Sequence, residues 1–129
     1  MSDRLRMTFP LYGSIAANAS EAWDQVVSIP NGETGVVSKI RFMPDTNVTA
    51  HDTNYADLSV EINASEIASE QTTTGDTVNL TAGTEIELAL SGSLEVSDGD
   101  RLTVKKTHAS SGAVLAGYVT VDIQVFRAA

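Results

Sequence analysis

The chain has 129 residues and a mass of 13.6 kDa, the length of one domain. Hydrophobic residues make up 42%, enough for one core, and the absence of cysteine excludes disulfides, thiolate metal sites and a cysteine nucleophile. Eight Lys and Arg stand against 17 Asp and Glu, a net charge of −9, which argues against a nucleic-acid binder and against a protein of anionic membrane surfaces.

Residues 1–15 differ from the rest. They hold two of the eight basic residues, Arg4 and Arg6, together with Leu5, Met7, Phe9, Leu11 and Tyr12. Leu5, Met7, Phe9 and Leu11 alternate, as they would in a strand added to a sheet, while Pro10 and Gly13 break any helix. We read residues 1–15 as an extended N-terminal arm, slightly basic and apolar, on an acidic body of residues 16–129. A frayed terminus is the plainer alternative. The candidate partner-binding residues are Arg4, Leu5, Arg6, Met7, Phe9, Leu11 and Tyr12, which could strap the arm to a partner or add a strand to a partner's sheet edge. The start has no apolar run long enough for a signal peptide, and no stretch approaches a membrane span. The expectation is a protein made in a cytoplasm.

From Ala22 onward the apolar period is two, the mark of strands with one buried and one wet face. Trp23, Val27 and Ile29 flank Gln25 in the first such run. Val36, Ser38, Ile40 and Phe42 face one way in the second, with Lys39 and Arg41 on the other side. Leu58, Val60 and Ile62 alternate with Asp57, Ser59 and Glu61; Ile86, Leu88 and Leu90 alternate with Glu85, Glu87 and Ala89. Leu102 and Val104 alternate with Arg101, Thr103 and Lys105, and Val119, Val121, Ile123 and Val125 with Thr120, Asp122 and Gln124. Residues 47–50, 66–73 and 77–80 are weaker strand candidates.

Turn signals separate these runs. Pro30-Asn31-Gly32 and Asp98-Gly99-Asp100 supply residues that tolerate positive φ, and Gly75-Asp76, Ala82-Gly83, Ser91-Gly92 and Ser111-Gly112 complete the set. No segment carries a 3.6-residue apolar period. Eight or nine short strands with tight turns predict an all-β fold: an antiparallel β-sandwich, jelly-roll-like, with the extended N-terminal arm. An immunoglobulin-like sandwich is the second expectation.

Catalytic chemistry is sparse. His51 and His108 sit in polar surroundings, and Ser110 or Ser111 near His108 lacks a Gly-x-Ser-x-Gly setting. Asp52-Thr53-Asn54 offers oxygens to a hard cation, yet the twelfth residue counted from Asp52 is Asn63 rather than the Glu of an EF-hand loop. Asp98-Gly99-Asp100 reads as a turn, and Glu85 with Glu87 as a solvated strand face. We expect no catalytic residue, no metal and no cofactor, hence a protein that binds or builds rather than an enzyme.

Several motifs resemble small virion proteins of tailed bacteriophages. Thr53-Asn54-Tyr55-Ala56-Asp57-Leu58-Ser59-Val60 is similar to their T-N-Y-A-x-L-x-V strand. Leu80-Thr81-Ala82-Gly83-Thr84 resembles their L-T-A-G-T run, and Gly99-Asp100-Arg101-Leu102-Thr103-Val104 their G-D-x-L-T-V. Lys106 to Gly112, followed by Tyr118 to Val125, resembles their K-x-x-x-G-x-G loop and final strand, with Ser111 where a Gly is common. The resemblance implies a capsid decoration (cement) protein: a homotrimer at local three-fold positions that binds the major capsid protein on the exterior of an assembled shell and stabilises it, with no nucleic acid or membrane as partner. A tail, baseplate or fibre-associated module that recognises a host-surface glycan through Tyr55 or Tyr118 is the alternative.

Overall fold

The computed structural model describes residues 2–15, 19–30, 32–73 and 79–127. Eleven strands run in chain order through these residues: β1 (Ser2–Ile15), β2 (Glu21–Val26), β3 (Glu33–Pro44), β4 (Val48–Thr49), β5 (Tyr55–Ile62), β6 (Ser65–Gln71), β7 (Asn79–Leu80), β8 (Ile86–Leu88), β9 (Glu95–Val96), β10 (Arg101–Ala109) and β11 (Leu115–Arg127). One sheet has the order β1-β11-β3-β8, with β9 also paired to β3; the second has the order β2-β10-β5-β6. Every pairing is antiparallel. β4 and β7 form a separate two-stranded pair; taking β8 and β9 as one broken strand, the other eight strands divide four and four, and the chain crosses between the two main sheets at β1–β2, β2–β3, β3–β5, β6–β8, β9–β10 and β10–β11. That order is a jelly roll, two Greek keys folded face to face. The fold is the expected antiparallel β-sandwich.

The inward residues are those the period of two selected. Ile40 and Phe42 from β3, Leu58, Val60 and Ile62 from β5, Leu102 and Val104 from β10, and Val119, Val121 and Ile123 from β11 form one buried cluster. Gly117 shows how tightly the sheet closes at one end: its φ is +142°, and an added Cβ would collide with the Met43 carbonyl oxygen.

Two expectations change. The first is the arm. Residues 2–11 pair with β11 along their length, from Ser2 opposite Phe126 to Leu11 opposite Gly117, and Ile15 lies opposite Leu115 beyond an irregularity. Met7, Phe9 and Leu11 are core residues, Phe9 with no exposure at all. The segment is therefore an edge strand of the jelly roll and not a separate arm. The cause is hydrophobic: the alternating face has a vacant place on its own sandwich, and burying a large apolar side chain there is worth roughly 1.5–3 kcal/mol.

The second change is the face of β3. Opposite β11, Asp122 aligns with Lys39 and Ile123 with Val37, so Ser38 is the extra residue of a bulge. The bulge shifts the parity. Val37 is buried and Val36 is not, the reverse of an unbroken alternation that puts Val36 and Ser38 inside. Past the bulge, Ile40 and Phe42 are inward and Lys39 and Arg41 outward, as expected.

Candidate functional site

The outer face of sheet β1-β11-β3 gathers charge from three strands far apart in sequence. Asp122, on the central strand β11, is 5% exposed. Its carboxylate accepts from Arg6 Nε at 2.7 Å and a terminal Arg6 nitrogen at 3.3 Å on one flank, and from Arg41 Nη2 at 3.0 Å on the other. The register explains the meeting: Arg6 and Lys39 both lie opposite Asp122. The bulge adds a fourth contact, Ser38 Oγ donating to the Asp122 carbonyl at 3.2 Å.

Electrostatics follow the geometry. The Arg6 hydrogen bond holds the Asp122 carboxyl below the usual carboxylate range, burial opposes it, and the charges of Arg6, Arg41 and Arg4 add to the lowering. Arg6 is pushed up in turn, first by its hydrogen bond to Asp122. Outside this clasp, Arg41 Nη1 lies 3.5 Å from Glu85, and Lys39 Nζ 3.2 Å from Glu87. Glu85 and Glu87 are thus cross-strand partners of β3 cations. Arg41 Nε is buried and has no hydrogen-bond partner. Arg4, Arg6, Lys39, Arg41 and Asp122 surround an open cleft of about 280 Å³. This strip holds four of the eight basic residues and three acidic ones, a net +1, so the remaining chain carries −10. Two large apolar side chains stand on the same strand as Asp122, Tyr118 four residues before it (39% exposed) and Phe126 four after (47% exposed).

The candidate residues of the N-terminal segment therefore divide between faces. Arg4 and Arg6 project outward onto the strip. Leu5 is half-buried against the core, and Met7, Phe9 and Leu11 are inside it. Met7, Phe9 and Leu11 serve the fold and offer no free side chain to a partner, and Leu5 is partly engaged by the core, which corrects the reading of the segment as one binding strap. The Tyr12 side chain lies outside the described residues. Lys39, Arg41 and Asp122 join the site although only their outward orientation was legible in the sequence.

The outer edge of β1 is partly protected. Alternate residues of an edge strand turn their backbone groups away from the sheet. The Thr8 carbonyl accepts from Gln25 Nε2 of β2 at 2.8 Å, and Pro10, two residues on, has no N–H to leave unpaired.

The second sheet has its own feature, a shallow groove of about 580 Å³ on the outer face of β2, β10 and β5. Its polar groups are paired across strands: Thr103 Oγ1 donates to Asp24 at 2.6 Å, and Lys105 Nζ lies 3.1 Å from Glu61. Lys106 points inward between the sheets, fully buried, and donates to the Ala19 carbonyl at 2.8 Å. Burial pushes its pKa down, and nearby Glu21 resists the shift.

The residues with catalytic or metal-binding potential are engaged locally. His51 Nδ1 accepts from the backbone N–H groups of Thr53 and Asn54, and His108 Nδ1 donates to the Ser110 carbonyl. Asp98 accepts from the Ile29 N–H, and Asp100 from the Ser97 N–H and from Asn63 Nδ2. Hydrogen bonds from Asn63 and Ser97 hold the Asp100 carboxyl below its usual range. Among the described residues, no group of three or more His, Cys, Asp or Glu is placed to hold a metal ion, and no helix is long and apolar enough to cross a membrane.

No family model and no curated protein matches the chain. Solved structures do. The latent dimeric PorU of Porphyromonas gingivalis matches with a TM-score of 0.45 and 17% identity over 95% of this chain and 12% of its own. The larvicidal Cry4Aa toxin of Bacillus thuringiensis matches with a TM-score of 0.50 and 12% identity over 82% of this chain and 18% of its own. A carbohydrate-binding module, CBM36, in complex with calcium and xylotriose matches with a TM-score of 0.41 and 12% identity over 92% of this chain and 98% of its own. The chain thus spans less than a fifth of the first two proteins. At these identities the likeness is one of fold alone.

Proposed function

We propose that the chain is a non-catalytic structural protein that lies on the exterior of an assembled bacteriophage capsid, docks through the outer face of β1, β11 and β3, and stabilises the shell, as a trimer at local three-fold positions. The observation that carries the reading is the strip itself. A chain of net charge −9 presents half its basic residues on one sheet face, between exposed Tyr118 and Phe126. A broad face with charges at its centre and aromatic residues at its ends suits protein docking better than a small-molecule site. The resemblance of residues 53–60, 80–84, 99–104, 106–112 and 118–125 to phage virion proteins supplies the partner, the major capsid protein. The acidic remainder of the body favours solubility on a crowded surface.

The test is direct. Purified protein is mixed with mature and with immature capsids of its phage and followed by co-sedimentation and negative-stain microscopy. Added density on the shell is the expected result, and light scattering gives the oligomeric state. Shells that sediment without the protein would remove the reading.

The groove on the outer face of β2, β10 and β5 favours a second reading, a tail- or fibre-associated module that binds a host-surface glycan. Its lining of Asp24, Glu61, Asn63 and Thr103 offers hydrogen-bonding groups suited to sugar hydroxyls. Hits on a glycan array that vanish with Asp24→Ala would select it over the capsid reading.

A further inference from the structure

We infer that the counterpart of the outer β1-β11-β3 face is an acidic patch of the shell protein, whose carboxylate side chains enter the cleft between β1 and β3. This rests on the capsid-surface reading and names the chemistry of the partner.

Arg6 is already oriented for such a ligand. Asp122 takes Nε and one terminal nitrogen of Arg6, which leaves the other terminal nitrogen outside the clasp. Arg41 is held between Asp122 at Nη2 and Glu85 at Nη1 and its Nε is buried, so it fixes the clasp and does not reach for the partner. A guanidinium fixed by a carboxylate on one side loses little freedom when a second carboxylate binds on the other. Charge-assisted pairs of this kind are short and directional. Arg4, exposed on the same face, extends the positive rim of the cleft, and half-exposed Lys39, 3.2 Å from Glu87, stands beside it.

The strip selects a protein carboxylate over a nucleic-acid backbone. It is an island of net +1 on a body of −10. A phosphate chain would run past it into repulsive surroundings, whereas an acidic protein patch needs only the cleft. Tyr118 and Phe126 give that protein partner two apolar anchors, which a phosphate backbone would not use.

The experiment uses the whole chain and a fluorescent oligoglutamate peptide, with oligoglutamine and a short single-stranded DNA as comparisons. Binding is read by anisotropy at low and high salt. The variants are the double reversal Arg4→Glu with Lys39→Glu, its neutral form Arg4→Gln with Lys39→Gln, and Arg101→Glu on the opposite sheet as control. Both altered positions are on the surface, and the neutral form keeps the test valid should the reversal fail to fold. The expected result is oligoglutamate binding that weakens with salt and falls by about tenfold or more in the double variants, with Arg101→Glu unchanged. Equal loss with Arg101→Glu, binding of DNA as tight as of oligoglutamate, or no peptide binding would overturn the inference. So would self-association by light scattering that the double reversal abolishes, because the occupant would then be a second copy. Capsid co-sedimentation of the same variants separates the two readings. Shells that bind wild type and double reversal alike sink the acidic-patch inference and leave the capsid reading. Peptide binding at the strip without shell binding sinks the capsid reading and with it the shell protein as the source of the patch, and keeps only the carboxylate chemistry of the ligand.

Discussion

Asp122 ties three strands together with one side chain. Its ligands come from positions 116 and 81 residues away along the chain, so each contact closes a long loop. Removing the negative charge leaves two guanidinium groups facing each other across β11. Asp122→Asn is therefore expected to lower unfolding stability by about 1.5–3 kcal/mol near neutral pH, the range for hydrogen bonds to charged groups. The pH dependence has a definite sign. The folded carboxyl gives up its proton more readily than the unfolded one, so its contribution is complete well above the reference value of 3.8 and is lost as pH falls below it. Urea midpoints measured across acidic pH should fall steeply in wild type and less steeply in Asp122→Asn; parallel curves would show that the clasp does not stabilise the fold.

The hairpin between β5 and β6 shows what an element asks of its turn. Asn63 and Ala64 both have positive φ, 48° and 72°, in a two-residue connection. Such turns favour Asn followed by Gly, because a Cβ is strained in the left-handed region. Asn63 answers the demand and binds beyond it, accepting from the Arg101 N–H at 2.9 Å. Ala64 does not answer it. Ala64→Gly should stabilise the protein by about 0.5–1 kcal/mol, after the entropy cost of glycine is set against the relieved strain. A thermal melt should show a rise of a few degrees, and a lower midpoint would contradict the strain argument. The edge strand β1 makes the complementary point. Arg4, Arg6, Pro10 and the Gln25 bond to the Thr8 carbonyl are the features that discourage edge-to-edge aggregation.

For the whole molecule, the position of β1 decides what can be detached. Because Phe9 is fully buried beside β11, truncating it opens a cavity in the common core. Phe9→Ala should cost about 3–5 kcal/mol, with one cooperative transition retained. A change under one kcal/mol would mean that β1 does not contribute to the core as a full strand does. Arg4→Gln, by contrast, should leave the melting curve nearly unchanged, since Arg4 is exposed on the outer face of β1. The charge distribution also belongs to this scale: a body of −10 surrounds a strip of +1, so ionic strength should act on the proposed docking at that strip more than on folding.

The sequence by itself determined the class of fold, because strands of a sandwich advertise themselves. Leu58-x-Val60-x-Ile62 and Val119-x-Val121-x-Ile123 alternate, Gly99 and Gly83 mark turns at φ of 89° and 80°, and no helical period competes. It determined equally that Lys39 and Arg41 face outward. Tertiary structure alone decided three matters. Leu5 to Leu11 alternate in the same way whether the strand joins its own sheet or another protein's, and only the vacant place beside β11 resolved the choice. The bulge at Ser38 reversed the parity of Val36 and Val37, since one inserted residue leaves no mark in a single sequence. The strip formed because the order β1-β11-β3 set Arg6, Asp122 and Arg41 side by side. Alternation is a local property that each strand carries alone, whereas strand neighbours are chosen by the burial of the whole core.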